Sequence, residues 1–330
     1  CNVRGRDRLG AAYVAIHRHV ASIGGFNAGG FGGIGSIRHG ILRDSGNLIR
    51  ARVMTVESEP KIIELVGDEI QQVHHAYGTN GVILDVEVGL SPAVEWVHCT
   101  ALFDSYRQAL DFGVAASTPD LDLFLLSTVE ARFSPYYTSM GERFPANKHA
   151  AFTMVAPASM AQFAQLVAQH GGHISVQGTE QELLAAGLPP AYECAFNHTT
   201  LQALKMDRSW TYLQVAYAQP FDPAVVERHL HIFGDDVLQH QDFAHAGGQF
   251  GTFGILLVRW KDLEHQYEVI REIESQGGCA IFNPHVVTIE DGGMKTIDTQ
   301  QIDFKKRSDP MGLMNPGKTK GWTADMARPA

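Results

Sequence analysis

The chain of 330 residues holds only four cysteines, Cys1, Cys99, Cys194 and Cys279. No two of them form a C-x-x-C pair, so neither a zinc knuckle nor a dense disulfide framework is expected. Buried free thiols in a reducing compartment are the simpler reading, and a cytoplasmic location is expected. Positive charge is scarce: 26 Lys and Arg stand against 36 Asp and Glu, for a net charge of -10. Sequence-independent binding of nucleic acid needs clustered cations to displace counterions, so no nucleic-acid partner is expected. No apolar run is long enough to span a bilayer, and no transmembrane segment is expected. Neither a secretory signal nor a solenoid-like repeat is visible. The first residue is Cys rather than Met, which leads us to expect that the natural N-terminus lies upstream.

What remains is the composition of a globular protein with a substantial core, 45% hydrophobic and 19% charged. The length suggests about two domains. The N-terminal stretch reads poorly: basic Arg4, Arg6 and Arg8 precede a short apolar run ending in His17-Arg18-His19. Strands are expected at Arg52–Val56, Ile62–Val66 and Val82–Val88, the last from its β-branched alternation. Composition shifts near Pro92, after which helices and strands alternate. Met160, Phe163, Leu166 and Val167 lie at helical spacing before Gly171-Gly172. His173–Val176, Trp210–Val215 and Gly254–Trp260 read as strands, and a helix carrying Leu263, Tyr267 and Ile270 follows the last. These units predict an α+β fold, a sheet with helices packed on one face. From Asn283 the chain reads as polar and irregular, a set of Pro/Gly turns.

The densest feature is the glycine-rich stretch Gly24-Gly25-Phe26-Asn27-Ala28-Gly29-Gly30-Phe31-Gly32-Gly33-Ile34-Gly35-Ser36. So much glycine predicts loop throughout. Glycine also lets backbone N–H groups approach a ligand closely and form a nest for a pyrophosphate. Gly30, Gly32 and Gly35 fit G-x-G-x-x-G by letter, but no strand leads in and no helical run is expected after Gly35. A glycine-rich surface loop without a ligand is the competing reading of this stretch.

Ser22 to Gly40 resembles the second flavin-contact loop of the vanillyl-alcohol oxidase (PCMH-type) family of FAD-binding oxidoreductases, which includes glycolate oxidase subunits and D-lactate dehydrogenases. Tyr77-Gly78-Thr79-Asn80-Gly81-Val82-Ile83 resembles the family's turn against the flavin's adenosine part. Asp309 to Lys318 resembles its C-terminal D-P-x-G-x-x-N-P-G-K signature. The resemblance implies FAD as cofactor. It implies that Gly24, Gly25, Asn27, Gly29, Gly30, Gly32, Gly33 and Gly35 line the phosphate and ribityl region. It places Gly78, Gly81, Val82 and Ile83 at the adenosine end, and Asn315 and Lys318 near the isoalloxazine. It also implies three parts: residues 1-94 as the second half of a PCMH-type FAD-binding domain, 95-284 as an α+β cap with an antiparallel sheet covered by helices, and 285-330 returning to the flavin domain.

Two departures stand out. Nothing before Gly24 matches the family's first pyrophosphate loop, so the chain is expected to be a fragment. His245-Ala246-Gly247-Gly248-Gln249-Phe250 is the nearest sequence to the family's H-x-G-D-G-N-x-H motif, and it lacks the Asp, the Asn and the second His. The implied activity is oxidation of a small-molecule alcohol or 2-hydroxy acid by hydride transfer to flavin, with the electron acceptor open and a homo-oligomer compatible. A reading from a different class also stays open: a non-catalytic remnant serving as a binding or subunit-interaction module.

In a flavoenzyme the cofactor carries the redox chemistry and the protein orients substrate and handles protons. His198 in Asn197-His198-Thr199-Thr200 is the first candidate base, since histidine titrates near neutrality. His285 is second, with Glu290 as an orienting or charge partner. Arg259, between Val258 and Trp260, could clamp a substrate carboxylate or form a structural ion pair. The pairs His17/His19 and His74/His75 have no third ligand spaced with them, and no metal is expected.

Overall fold

The computed structural model describes residues 9–11, 21–30 and 32–327. Arg4, Arg6, Arg8 and the His17/His19 pair lie outside the described residues. The chain divides into two compact units. One comprises Cys1–Gly33, Ile41–Ala93 and Phe282–Ala330; the other comprises Ile34–Gly40 and Val94–Ile281.

The first unit is built on a three-stranded antiparallel sheet in the order Ile62–Val66, Leu48–Met54, Val82–Val88. Two-residue alternation sorts its faces. Ala51, Val53 and Leu65 point into a core with Phe26, Ile70, Val73 and Phe304. On the outer face Arg50 pairs with Glu64 and Glu87, and Arg52 with Asp85. A short antiparallel ladder joins Leu9–Ala11 to Leu90–Pro92.

Two expectations are corrected in this unit. The stretch from Asn283 is not irregular throughout, because Thr299–Ser308 is a helix. Asp298 caps it by accepting from the Gln301 N–H at 3.1 Å, and Ile302, Phe304 and Lys305 supply a buried side. It stops at Asp309, where the following Pro310 disfavours the helical region. The glycine-rich stretch is not loop throughout either, since Ile23–Gly29 is helical. Ser22 provides the N-cap, burial of Phe26 anchors one side, and Gly30 closes the end in a left-handed conformation. A helix also follows Gly35, the four-residue Ser36–His39 of the second unit.

In the second unit the described residues form a nine-stranded sheet. Its path runs Cys279–Phe282, Trp210–Tyr217, Gln249–Arg259, His240–Ala246, Leu123–Val129, His149–Val155, Val97–Phe103 and His173–Gly178; Val237–Leu238 pairs with Gln249–Arg259 off this path. From Trp210–Tyr217 across to His173–Gly178 every neighbouring pair is antiparallel. Gly247 and Gly248, both at positive φ, make the tight turn between His240–Ala246 and Gln249–Arg259. The stretch from His245 to Phe250 is therefore a hairpin.

Helices Tyr106–Ala116, Met160–Gln169, Pro223–Phe233 and Leu263–Gln276 pack on one face over Leu126, Ala151, Leu213, Phe243 and Leu256. The alternate residues Ser127, Phe152, His240 and Asp242 point to the other face. There Phe133 and Tyr137 lie against His240 and Phe152, and Asn197–Met206 adds a helix. The expected one-sided cover therefore holds for four helices and not for this one.

Gly113 shows how closely the main helical face is packed, because a Cβ there would overlap the Phe243 ring. Gly113→Leu should lower unfolding stability by about 3 kcal/mol through overpacking. A urea midpoint equal to wild type would show that Phe243 is not seated against this helix.

Candidate functional site

The motif residues of the first unit converge around the end of helix Ile23–Gly29. The Ser22 side chain accepts from Gly25 N–H at 3.0 Å, while the Gly30 N–H donates to the carbonyls of Phe26 and Asn27. Gly30 lies directly against the His75 ring, and a Cβ there would overlap it. The helix end is stitched to the next segment by His75 N–H to Asn27 O at 3.0 Å and Tyr77 N–H to Ala28 O at 2.9 Å. Asn315 reaches the same segment, its Nδ2 donating to Tyr77 O at 2.6 Å. The Lys318 ammonium stands 5.4 Å from the centre of the Tyr77 ring.

Backbone strain marks this place. Among the described residues four non-glycines have positive φ, and three of them are His75, Tyr77 and Asn315. Each such conformation costs about 1–3 kcal/mol and persists only where its surroundings enforce it. Strain of this kind gathers at ligand clamps and active sites.

The enforcement is a buried polar web. Gln301 donates through Nε2 to the carbonyls of Gln71 and His74, at 2.8 and 2.7 Å. Asn80 donates to Gln72 O and Gln301 O, and Lys295 donates to His75 O. Lys305 and Asp309 form a buried ion pair at 2.6 Å. Lys305 also donates to Thr79 O and Met314 O, and the Asp309 carboxylate accepts the N–H groups of Leu313 and Met314. Burial pushes His74 down to about 3, with the positive charges of Arg43 and Lys295 adding to the effect of His75. Burial and Lys295 likewise bring His75 to about 4. Both rings are therefore neutral at neutral pH. The His74 ring reaches Asn27, with Nδ1 2.6 Å from Oδ1. Asn27 is fully buried, and among the described residues its Nδ2 has no hydrogen-bond partner.

The expected cofactor residues fall as follows. Gly24 packs toward Ile83, whose carbonyl would lie 3.4 Å from an added Cβ. Gly81, at φ 79°, turns the chain into the strand that begins at Val82, with Met54 O 2.9 Å from an added Cβ. Gly78 is also at positive φ, and a Cβ there would meet nothing within 4 Å. Gly25, Gly29, Gly32 and Gly33 belong to this unit as well, whereas Gly35 belongs to the second, its N–H donating to Phe124 O.

The expected catalytic residues are divided between the units: His285 and Glu290 in the first, His198 and Arg259 in the second. The His285 backbone N–H donates to Asn283 Oδ1. The Glu290 carboxylate accepts from Thr319 Oγ at 2.6 Å and Lys320 N–H at 3.1 Å, closing the turn after Lys318. His198 is buried with Nδ1 2.7 Å from Glu193 Oε2. It follows Phe196, the fourth positive-φ residue, whose N–H donates to Asp242 Oδ1 at 3.2 Å. Asp242 and Ser127 both contact Nε2 of buried His240, at 3.0 and 2.8 Å. A nucleophile relay needs serine and aspartate on opposite ring nitrogens, so this trio is not one. Arg259 is 2.9 Å from Asp207, contacts Ser209 and stacks on Trp210 at 3.8 Å.

Sequence reasoning passed over Gln301 and Lys305, weighed His74 only as half of a metal pair, and took Tyr77 only as the start of the Tyr77–Ile83 motif. The spacing of Lys305 and Asp309, one helical turn apart, was the available signal. Among the described residues no group of three His, Cys, Asp or Glu could hold a metal ion. No helix there is long and apolar enough to cross a membrane.

No protein-family model matches the chain. No curated protein matches it either. Solved structures do. Alkyldihydroxyacetonephosphate synthase in one crystal form aligns with TM-score 0.64 at 10% identity, over 93% of this chain and 59% of that one. A second crystal form of the synthase gives 0.60 and 10%, over 93% and 60%. The chain thus spans about three-fifths of the length of the synthase chains it matches. Its mixed helix and antiparallel-sheet architecture is that PCMH-type fold, as the motif resemblance implied.

Two outcomes test this web. Lys305→Met would leave the Asp309 carboxylate buried and unpaired, and should cost about 3–5 kcal/mol in urea unfolding; a small loss would mean that Asp309 reaches water. The pH dependence has a definite sign. The unfolded histidine pKa, near 6.5, lies above the folded values of about 3 and 4 for His74 and His75. The unfolded state therefore binds more protons in acid. Stability is fully present above about pH 6.5 and falls below it, by about 1.4 kcal/mol per pH unit for each ring. His74→Asn should make this acid slope shallower by about one proton. An unchanged slope would mean that the His74 ring titrates normally in the folded chain.

Proposed function

We propose that this chain is the flavin-binding and substrate-covering portion of an FAD-dependent oxidoreductase that oxidises an alcohol or 2-hydroxy acid. The observation that carries the reading is the convergence of His75, Tyr77 and Asn315, all strained, beside a buried Asn27 amide with an unsatisfied donor. A protein retains strain and an unpaired buried donor where a ligand repays them. The fold shared with alkyldihydroxyacetonephosphate synthase supports the same reading.

The first unit would hold the dinucleotide with Asn27, the Gly78–Ile83 turn, Asn315 and Lys318. The ammonium of Lys318 suits an anionic or electron-rich group. Bound FAD supplies the hydride acceptor. His198, held by Glu193, is the proposed base; Arg259, bonded to Asp207 beyond the far end of helix Asn197–Met206, is assigned to a structural ion pair rather than to the same small substrate.

Titration of the purified full chain with FAD should give saturable 1:1 binding with a change in flavin fluorescence. A folded, colourless protein that leaves FAD fluorescence unchanged would remove the flavin reading. With FAD bound, anaerobic bleaching of flavin absorbance by glycolate, lactate or a primary alcohol would identify the substrate class. Unchanged absorbance with all three would count against the oxidase assignment.

A further inference from the structure

Many carbonyls and side chains around residues 71–80 are bonded to one another, whereas among the described residues the Asn27 amide nitrogen has no partner. An amide side chain has two chemically different ends, and a neighbour that engages one end decides which way the other points. The neighbour here is His74, whose Nδ1 is 2.6 Å from Asn27 Oδ1. We infer that His74 is a positioning residue, its Nδ1–H holding the Asn27 oxygen so that the Asn27 NH2 is presented as a donor to an acceptor oxygen of the bound flavin nucleotide. This rests on the flavin reading above and goes beyond it by assigning a function to a residue that does not itself touch the cofactor.

Three features agree on this arrangement. The main chain on both sides of the contact is fixed: Asn27 O accepts from His75 N–H and Gly30 N–H, and His74 O accepts from Gln301. The backbones that carry the ring and the amide are therefore held in place. Arg43, His75 and Lys295 are the charged or titratable groups acting on the His74 ring, and none is a carboxylate that would favour an imidazolium. The ring is thus neutral and carries one proton, which can sit on Nδ1 or Nε2. With the proton on Nδ1 the Asn27 oxygen is satisfied and the NH2 faces the ligand. With the proton on Nε2 the amide must turn, its NH2 donates to the ring, and an oxygen would confront the phosphate or ribityl oxygens. Only the first arrangement suits an oxygen-rich anion.

The test has two arms on the full chain. Nitrogen-15 NMR of the histidine rings at pH 7, without ligand, should show His74 protonated at Nδ1 and bare at Nε2; the opposite tautomer overturns the inference. The second arm is a double-substitution cycle read as the dissociation constant for FAD. Asn27→Ala and His74→Leu should each weaken binding about tenfold, and the double variant no more than either alone, because both remove one donor. His74→Asn, whose amide nitrogen can stand where Nδ1 stands, should restore binding to within about threefold. Melting curves identify any variant that fails to fold, and His74→Asn then carries the comparison: loss of FAD affinity in a folded His74→Asn protein overturns the inference. So do additive losses, or binding indifferent to both positions. Absence of FAD binding by folded wild type overturns the flavin reading itself, an outcome distinct from FAD binding that ignores Asn27 and His74.

Discussion

The first unit depends on one charged contact. Lys305 and Asp309 lie one helical turn apart, both buried, and each ion satisfies several backbone groups besides its partner. A buried ion pair of this kind adds little net stability, since desolvation offsets most of the attraction. What it supplies is register. Lys305 fastens the Thr79 turn from one side and the Met314 turn from the other. Asp309 folds the chain after the helix back on itself through Leu313 and Met314. The turn carrying Asn315 and Lys318 follows directly, and Asn315 then reaches Tyr77. The strained residues are held because this pair leaves their flanking turns no alternative.

Much of the architecture was legible in the sequence. Ile62–Val66 and Val82–Val88 are strands over the expected residues, because β-branched side chains alternating with charges fit a sheet with one wet face. Helix Leu263–Gln276 follows from its apolar period and the Gly277-Gly278 stop. The segment Ile23–Gly29 was not legible, because glycine content argued for loop while the forces deciding its state are the Ser22 cap, buried Phe26 and the C-terminal glycine. Propensity is a weak prior that tertiary contacts override. The helix Thr299–Ser308 was hidden for a related reason: its buried residues include Gln301 and Lys305, which read as polar surface until their partners are known.

The candidate site was legible as motifs and illegible as a network. Tyr77 to Ile83 and Asp309 to Lys318 are separated by more than two hundred residues, and only the fold brings Asn315 onto Tyr77. His74 carried no signal of its own, since a histidine pair without a third ligand reads as ordinary surface. His198 illustrates the converse. A sequence can nominate a histidine by its type, but the Glu193 contact and the strained Phe196 before it arise from tertiary structure.

The structure also changes what the glycines mean. Dense glycine suggested a backbone opened toward a ligand, but several of these residues make room for the protein itself. Gly24 admits Ile83, Gly25 sits against the Ser22 hydroxyl, and Gly30 admits the His75 ring. A glycine selected for self-packing yields a close helix–turn contact whether or not a cofactor is bound. The argument for a ligand therefore shifts from glycine count to what close packing leaves unsatisfied. In a segment stitched this tightly, an amide donor without a partner is the more informative residue. Closing the helix end with Gly30 brings His75 and its neighbour His74 within reach, and His74 then fixes the amide. Gly24, Gly25 and Gly30 matter to the binding reading in that their close packing lets Asn27 be held.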